Sequence, residues 1–188
     1  MLACTLLMSS GALVAMLNAS AQTTVGLTVA SSGFSINVRA KPEKRIPSTG
    51  NDSTLLTVEV RSIGVTTPLS TTTVNTGSGG TYSGITVLLS PGTYDVTAKG
   101  YSHLRRLKSS VALSSNVTVD FTDGGTYQLL SGDVNSTNGD NKVNGIDLSL
   151  IVAGLLGGDP RLDLNRDSRV NGIDLTNAVT NLNVTGDS

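Results

Sequence analysis

Acidic and amide side chains recur at a regular spacing in the last third of the chain. One segment of twelve residues carries side-chain oxygens at positions 1, 3, 5, 9 and 12, namely Asp163, Asn165, Asp167, Asn171 and Asp174. A loop with this spacing can wrap a hard cation, and the backbone carbonyl of position 7, here Arg169, supplies a further oxygen. Three carboxylates in so short a segment repel one another unless a cation neutralises them. Because calcium accepts more oxygens and less regular geometry than magnesium, this loop predicts a calcium site.

The same arrangement occurs once earlier in the chain. Both copies contain Val-Asn-Gly-Ile-Asp-Leu, which begins at Val143 and again at Val170, and so close an internal repeat indicates a repeated structural unit. The first copy spans 14 steps between its outermost aspartates where the second spans 11, so it contains three inserted residues. Such an insertion changes the closure entropy of a loop only slightly. The predicted ligands of this first loop are Asp133, Asn135, Asp140, the carbonyl of Lys142, Asn144 and Asp147.

Two positions of the second loop depart from the standard EF-hand calcium loop. Position 6, usually a glycine at a sharp turn, is Ser168, and position 12, usually a bidentate glutamate, is the shorter Asp174. Neither loop contains a cluster of His or Cys, so zinc and copper are poor candidates. The sequence therefore predicts two calcium ions, one in each loop.

Each loop is followed by an apolar pattern that is typical of an amphipathic helix. The apolar positions are Leu148, Ile151, Val152, Leu155 and Leu156 after the first loop, and Leu175, Ala178, Val179 and Leu182 after the second. Gly157, Gly158 and Pro160 are expected to end the first helix. Asp147 and Asp174 would then serve both as ligands and as the acidic residues of a helix N-terminus. We expect the two helices to bury their apolar stripes against each other.

The doubled loop–helix pattern resembles the dockerin family over residues 131–184. The Gly-Asp-Val-Asn opening at Gly132 and the Val-Asn-x-x-Asp-Leu close of both copies carry the resemblance. It implies a calcium-binding module that docks on a cohesin. In dockerins, positions 10 and 11 of each loop contact the cohesin, and these positions here are Gly145, Ile146, Gly172 and Ile173. The identical pair in both copies implies two symmetry-related docking modes, and the alternative is that both isoleucines pack inside.

The first 21 residues predict a secretory signal peptide. They are largely apolar and end in Ala19-Ser20-Ala21, a small-x-small cleavage pattern. A membrane anchor is the alternative, but the apolar run is short and broken by polar residues. We therefore expect a secreted or surface-exposed protein with no membrane span in the mature chain.

Residues 22–130 predict a domain of short β-strands separated by Gly, Ser and Pro turns. The predicted strands are Thr24–Val29, Phe34–Arg39, Leu55–Val60, Ile85–Leu88, Tyr94–Lys99, Lys108–Leu113 and Val117–Phe121. This number and length of strands is typical of an Ig-like or prealbumin-like β-sandwich. The stretch from Gly80 to Val96, with its Pro-Gly-Thr-Tyr turn, resembles the carboxypeptidase-regulatory-like family, which implies a non-catalytic spacer or adhesion domain. The fold class is therefore mostly β, with a small α-helical dockerin-like module over residues 131–188.

No group of residues predicts an active site. The only histidine, His103, lies beside Arg105, Arg106 and Lys108, and we interpret it as part of a solvated basic edge rather than as a general base. Eight of the 14 acidic residues follow residue 132, so the β-domain offers no evident carboxylate pair for glycoside hydrolysis. Its small excess of basic residues does not indicate nucleic-acid binding.

Three functions remain open from the sequence. The first is a secreted, non-catalytic adaptor that docks on a cohesin-like surface partner. The second is a structural protein of the cell envelope or of an extracellular filament, in which the calcium module clasps the sandwich or joins subunits by self-association. The third is an accessory component of a polysaccharide-degrading assembly, implied only by the family resemblance.

Overall fold

The computed structural model describes residues 33–136 and 139–188. The chain from Ser31 to Ser188 forms one compact unit, and the predicted boundary at residue 130 falls inside it. The predicted signal peptide and the predicted strand Thr24–Val29 lie outside the described residues. Among those residues, no helix has the length and apolar character needed to cross a membrane. We call residues 33–130 the sandwich and residues 131–188 the loop–helix module.

Seven strands build the sandwich. They are β1 (Phe34–Ala40), β2 (Leu55–Arg61), β3 (Pro68–Asn75), β4 (Thr81–Val87), β5 (Gly92–Gly100), β6 (Arg106–Leu113) and β7 (Val117–Phe121). One sheet has the order β4-β1-β7 and the other the order β3-β2-β5-β6. Neighbouring strands are antiparallel except β1 and β7, which are parallel. Two sheets and two short helices are consistent with the predicted mostly β fold.

Alternating apolar side chains place the core between the two sheets. Ile36 and Val38 of β1 and Leu56 of β2 are buried, as are Val96 of β5 and Phe121 of β7. All five belong to one hydrophobic cluster. Because this cluster draws on both sheets, the sheets pack face to face as a β-sandwich.

Strand β3 is absent from the predicted strands. Its segment Pro68–Asn75 is rich in Thr and Ser, and only Val74 is buried. The strand lies at an edge of the four-stranded sheet, where one side is free and a proline at the first residue is tolerated. The alternation of apolar and polar residues from which the other strands were predicted is therefore nearly absent from β3.

Two helices form the loop–helix module, α1 (Gly145–Ala153) and α2 (Gly172–Thr180). The expected burial of the whole apolar stripe is wrong. Ile151 and Ala178 are buried, but Val152 and Leu156 are 50% and 96% exposed. Helix α1 ends at Ala153, earlier than Gly157, so the apolar residues beyond it leave the helical register.

Strand β5 is buried on both faces, which explains how the module sits on the sandwich. Val96 and Ala98 point into the core, whereas Asp95, Thr97 and Lys99 point outward and are still at least 94% buried. Loop one and the C-terminal segment cover this outer face, since Asp133 bonds to Lys99 and the carboxylate of Asp187 accepts from the Leu107 N–H. The sandwich and the module are therefore packed together through polar contacts.

Candidate functional site

In the second loop, the predicted ligands hold the backbone in a closed turn. The two carboxylate oxygens of Asp163 accept from the N–H groups of Asp167 and Ser168, at 3.1 and 2.8 Å. Asn165 Oδ1 accepts from the same Asp167 N–H at 3.1 Å. The side-chain amides of Asn165 and Asn171 both donate to Asp167 Oδ2, at 3.0 and 3.2 Å. The side chains of positions 1, 3, 5 and 9 are thus gathered at one point.

The first loop repeats the three bonds from backbone N–H groups at equivalent residues. Asp133 accepts from the N–H groups of Asp140 and Asn141, both at 3.0 Å. Asn135 Oδ1 accepts from the Asp140 N–H at 3.0 Å, as Asn165 does from Asp167 in loop two. Asp140 accepts from the Lys142 N–H at 3.1 Å, and Asp167 accepts from Arg169 at 3.0 Å. The three inserted residues therefore leave the alignment of the two loops intact, including Asn135.

The backbone is left-handed at the same two positions of both loops. Gly139 and Arg166, at position 4, have φ of 65° and 59°, and Asn141 and Ser168, at position 6, have φ of 66° and 73°. These left-handed conformations favour glycine, and Ser168 adopts one although it is not glycine. A Cβ at Gly139 would overlap the carboxylate of Asp133, so a side chain there would displace the first predicted ligand.

The last predicted ligand of each loop also caps the helix that follows. Asp147 and Asp174 are fully buried. Each accepts from the N–H of its N-cap residue, Asn144 or Asn171, in a capping box. Each also reaches back across its loop, Asp147 to the Val134 N–H at 2.8 Å and Asp174 to the Leu164 N–H at 2.7 Å. The predicted place of these aspartates at a helix N-terminus is therefore confirmed in both copies, and their use as ligands stays a prediction.

Burial and mutual repulsion act on the carboxylates of these loops. Burial raises the pKa of Asp163, and the nearby charges of Asp174 and Asp167 raise it further, against two backbone hydrogen bonds that lower it. The pKa of Asp167 is lowered, chiefly by the hydrogen bond from the Asn165 amide. A bound cation would offset both the desolvation and the repulsion at Asp163.

The donor set of each loop fits a hard cation. It consists of carboxylate and amide oxygens together with the carbonyl of Lys142 or Arg169, which are the ligands that calcium prefers. Among residues 33–136 and 139–188, no group of three or more His, Cys, Asp and Glu side chains is arranged by itself to hold a metal ion.

The predicted partner-binding residues are exposed. Ile146 is 60% and Ile173 49% exposed, and the adjoining Gly145 and Gly172 are exposed as well. The alternative that both isoleucines pack inside is therefore wrong. Other apolar residues that are exposed in both copies lie 27 positions apart, as the isoleucines do: Val152 with Val179, and Leu155 with Leu182.

Reciprocal backbone hydrogen bonds join the two repeats. Val143 of loop one accepts from the Asn183 N–H and donates to the Val184 carbonyl, at 2.8 and 2.9 Å, beyond the end of α2. Val170 of loop two accepts from the Leu156 N–H at 2.8 Å and donates to the Gly157 carbonyl at 3.0 Å, beyond the end of α1. Because each loop pairs with the segment after the other helix, the module has an approximate two-fold arrangement.

Both loops touch the sandwich. In loop one, Lys99 Nζ donates to Asp133 Oδ2 at 2.6 Å and the Arg105 N–H donates to Asn141 Oδ1 at 2.7 Å. In loop two, the Ile46 N–H donates to the Asn165 carbonyl at 2.9 Å. Sequence reasoning missed these contacts, because they join residues 34 to 119 positions apart and no local spacing marks them.

Beside these contacts lies His103, and the expectation that it belongs to a solvated edge is wrong. The side chain is 99% buried, and a Cβ at Gly100 would lie 2.7 Å from its Nδ1. Both ring nitrogens lack a hydrogen-bond partner among the described residues. Burial, followed by the charges of Arg45, Lys99 and Arg166, lowers the pKa of His103 well below its ordinary value.

Acidification is therefore expected to destabilise the protein through His103. The unfolded chain binds a proton below pH 6.5 and the folded chain does not, so stability is full above that pH and falls as the pH decreases. Between pH 7.5 and 5.5 the free energy of unfolding is expected to fall by about 1.4 kcal/mol. Urea denaturation at constant saturating calcium measures it, and His103→Gln should flatten this part of the profile. An unchanged profile in the variant would mean that other groups cause the pH dependence.

Comparisons with known proteins complete the description. A scan against protein-family models finds no match for this sequence, and a search of curated proteins finds none either. Two matching solved structures are interface mutants of a type II cohesin–X-dockerin complex from Acetivibrio cellulolyticus. A chain of the C-terminal interface mutant matches with a TM-score of 0.60 and 20% identity, covering 81% of this chain and 97% of that chain. A chain of the N-terminal interface mutant matches with a TM-score of 0.55 and 19% identity, at the same coverage.

The extent of this match decides what is shared. Because 81% of 188 residues is about 152 residues, the match is longer than the whole stretch before residue 131 and must include residues of the loop–helix module. The resemblance to the carboxypeptidase-regulatory-like family stays a prediction. The described unit shares a β-sandwich fold with a chain found in type II cohesin–X-dockerin complexes.

Proposed function

We propose that the protein is a secreted, non-catalytic adaptor whose loop–helix module binds two calcium ions and docks on a cohesin-like module of another protein. The observation that carries the proposal is the equivalence of the two loops. They share their hydrogen bonds, their left-handed positions and an exposed isoleucine at position 11. The fold shared with chains of cohesin–X-dockerin complexes supports it.

Calcium would act on the module by neutralising its loops. The carboxylates of Asp163 and Asp174 in loop two, and of Asp133 and Asp147 in loop one, are all at least 94% buried. Buried carboxylates are unfavourable unless they are paired or coordinate a metal. Two calcium ions would provide that compensation and would hold the N-termini of α1 and α2 in place.

Docking would use the exposed apolar residues that recur in both copies. Ile146 and Ile173 lie at the first turn of α1 and α2, so a filled calcium loop would fix their position directly. Exposed aliphatic side chains near one another are typical of protein interaction surfaces. Because the exposed pairs follow the two-fold arrangement, either repeat could face the partner.

The proposal is tested by calcium titration and by binding to an immobilised type II cohesin. Calorimetry is expected to show two calcium ions per chain, and cohesin binding is expected with calcium and not with chelator. Replacing both Ile146 and Ile173 with Asp should weaken docking by at least about tenfold, whereas either single change should weaken it only about twofold, since the other repeat remains.

Ile63→Asp provides the matched control for this experiment. Ile63 is 55% exposed in the loop between β2 and β3, so the substitution changes surface charge and hydrophobicity equally but away from the module. Its docking should equal that of the unmodified protein. Absence of calcium binding at millimolar concentration, or docking that persists in the double variant, would contradict the proposal.

A second role is favoured by the contacts between the loops and the sandwich. Lys99 with Asp133, and Ile46 with Asn165, join the two parts of the unit, so the calcium module would also clasp the sandwich. If the protein is a structural component of the cell envelope or of a filament, its module would also join subunits by self-association. Size-exclusion chromatography with and without calcium separates the cases, since calcium-driven oligomers would favour the structural role.

The partner class suggests a wider setting. The matched complexes are described as cohesin–X-dockerin complexes, and we propose on the family resemblance that this protein is an accessory component of an extracellular polysaccharide-degrading assembly. Identification of a cohesin that binds the purified protein in calcium would test that setting directly.

A further inference from the structure

One buried lysine has no place in the calcium proposal. Lys99 of β5 is 94% buried, and its Nζ donates to Asp133 Oδ2 at 2.6 Å and to the His103 carbonyl at 2.8 Å. Asp133, the first predicted ligand of loop one, is itself fully buried. An ammonium and a carboxylate held this closely away from water form a strong contact, and removal of either leaves a buried charge unpaired.

Loop two contains no such contact. Among the described residues, Asp163 forms no salt bridge. The corresponding basic residue is Arg45, whose pKa is lowered to about 10 by burial and by Arg166, with a partial offset from Asp163. Its Nε and Nη1 have no hydrogen-bond partner in the part of the chain that the structure describes. The two loops share most of their own bonds and differ in whether a basic side chain of the sandwich contacts the carboxylate at position 1.

This difference has opposite effects on the calcium-free and the calcium-bound loop. Without calcium, the ammonium of Lys99 compensates the carboxylate of Asp133, and the first loop stays closed against β5. With calcium, the same ammonium shares a carboxylate with a second cation and repels it. Burial strengthens this repulsion, because water is largely excluded from the contact.

We infer that Lys99 is a built-in counter-charge of the first loop, which stabilises that loop without calcium and lowers its calcium affinity below that of the second loop. This inference rests on the proposed calcium binding. It assigns to Lys99, a residue of the sandwich, the role of setting the order in which the two sites fill. Loop two fills first, and loop one fills only at higher calcium concentration.

The test is a calcium titration of the full chain followed by NMR. The amides of Asn141 and Ser168 lie at position 6 of the two loops and bond to Asp133 and Asp163, so each reports the occupancy of its own loop. In the unmodified protein, Ser168 should saturate at a calcium concentration at least about tenfold lower than Asn141. In Lys99→Met, the Asn141 midpoint should fall by at least about tenfold and the Ser168 midpoint should stay unchanged.

Two control variants separate charge from packing. Lys99→Arg keeps the positive charge and should keep the Asn141 midpoint within about threefold of the unmodified protein. Arg39→Met removes a positive charge from an exposed side chain of β1, outside both loops, and should shift neither amide. A Lys99→Met protein that loses structure without calcium is measured from the calcium-loaded state by back-titration with chelator.

The outcomes distinguish this inference from the calcium proposal. Saturation of Asn141 and Ser168 at one calcium concentration in the unmodified protein, or an unchanged Asn141 midpoint in Lys99→Met, would overturn the role of Lys99 and leave calcium binding intact. Failure of both amides to respond up to millimolar calcium would overturn the calcium proposal, and the inference with it. A shift confined to Asn141 in Lys99→Met supports both.

Discussion

Chelation of calcium is expected to lower the melting temperature by about 8–16 °C through loop two alone. A ligand present at a thousand times its dissociation constant stabilises the folded state by about 4 kcal/mol, and each kcal/mol shifts the melting temperature of a domain this size by about 2–4 °C. The structural reason is the desolvation and repulsion that raise the pKa of Asp163. Scanning calorimetry with calcium and with chelator measures the shift.

Magnesium provides the control for this experiment. It demands near-ideal octahedral geometry and gives up its water reluctantly, so millimolar magnesium should restore little of the lost stability. Full restoration by magnesium would show that the loops respond to divalent charge in general. A melting temperature that is unchanged by the chelator would mean that the hydrogen bonds of the loops stabilise them without metal.

Asp174→Ala is expected to destabilise the calcium-saturated protein by about 3–5 kcal/mol. The buried carboxylate accepts from the N–H groups of Leu164, Asn165 and Asn171 at 2.7, 3.2 and 2.9 Å. Its removal leaves buried donors unpaired, each at about 1–3 kcal/mol, and also removes a predicted ligand. Asn135→Ala should cost only about 1 kcal/mol, because Asn135 is half-buried and accepts one hydrogen bond among the described residues.

Urea denaturation at saturating calcium compares these two variants. Asp120→Ala is the matched surface control, since Asp120 is half-exposed and forms a salt bridge with Arg39 at 3.1 Å, a contact that contributes about 0–1 kcal/mol. Equal decreases in the free energy of unfolding for Asp174→Ala and Asn135→Ala would contradict the prediction, which depends on the difference in burial between the two residues.

The helices after the two loops could be predicted because their determinants are local. The caps at Asp147 and Asp174 and the apolar positions that follow lie within about a dozen residues of one another, and the pattern occurs twice. Most strands were predicted for a similar reason, since residues such as Ile36 and Val38 alternate with polar neighbours.

The features that were not predicted depend on contacts between residues far apart in the sequence, which no local pattern indicates. The edge strand β3 buries almost nothing, so its sequence lacks the expected alternation. His103 is surrounded by basic residues in the sequence but is covered by the module in the fold. The partners of the first loop, Lys99 and Arg105, become visible only when β5 is brought against the module.

The reciprocal closure of the repeats makes the module comparable to a symmetric homodimer whose subunits are joined into one chain. In an isologous dimer each subunit gives the contact that it receives. Here Val143 is paired beyond α2 and Val170 beyond α1, in the same way. A single repeat therefore carries an unpaired half of its own interface, and only a second copy can complete it. Gene duplication and fusion would convert such a self-pairing unit into the present module without a new contact, and a peptide of one repeat would have to assemble in pairs to fold.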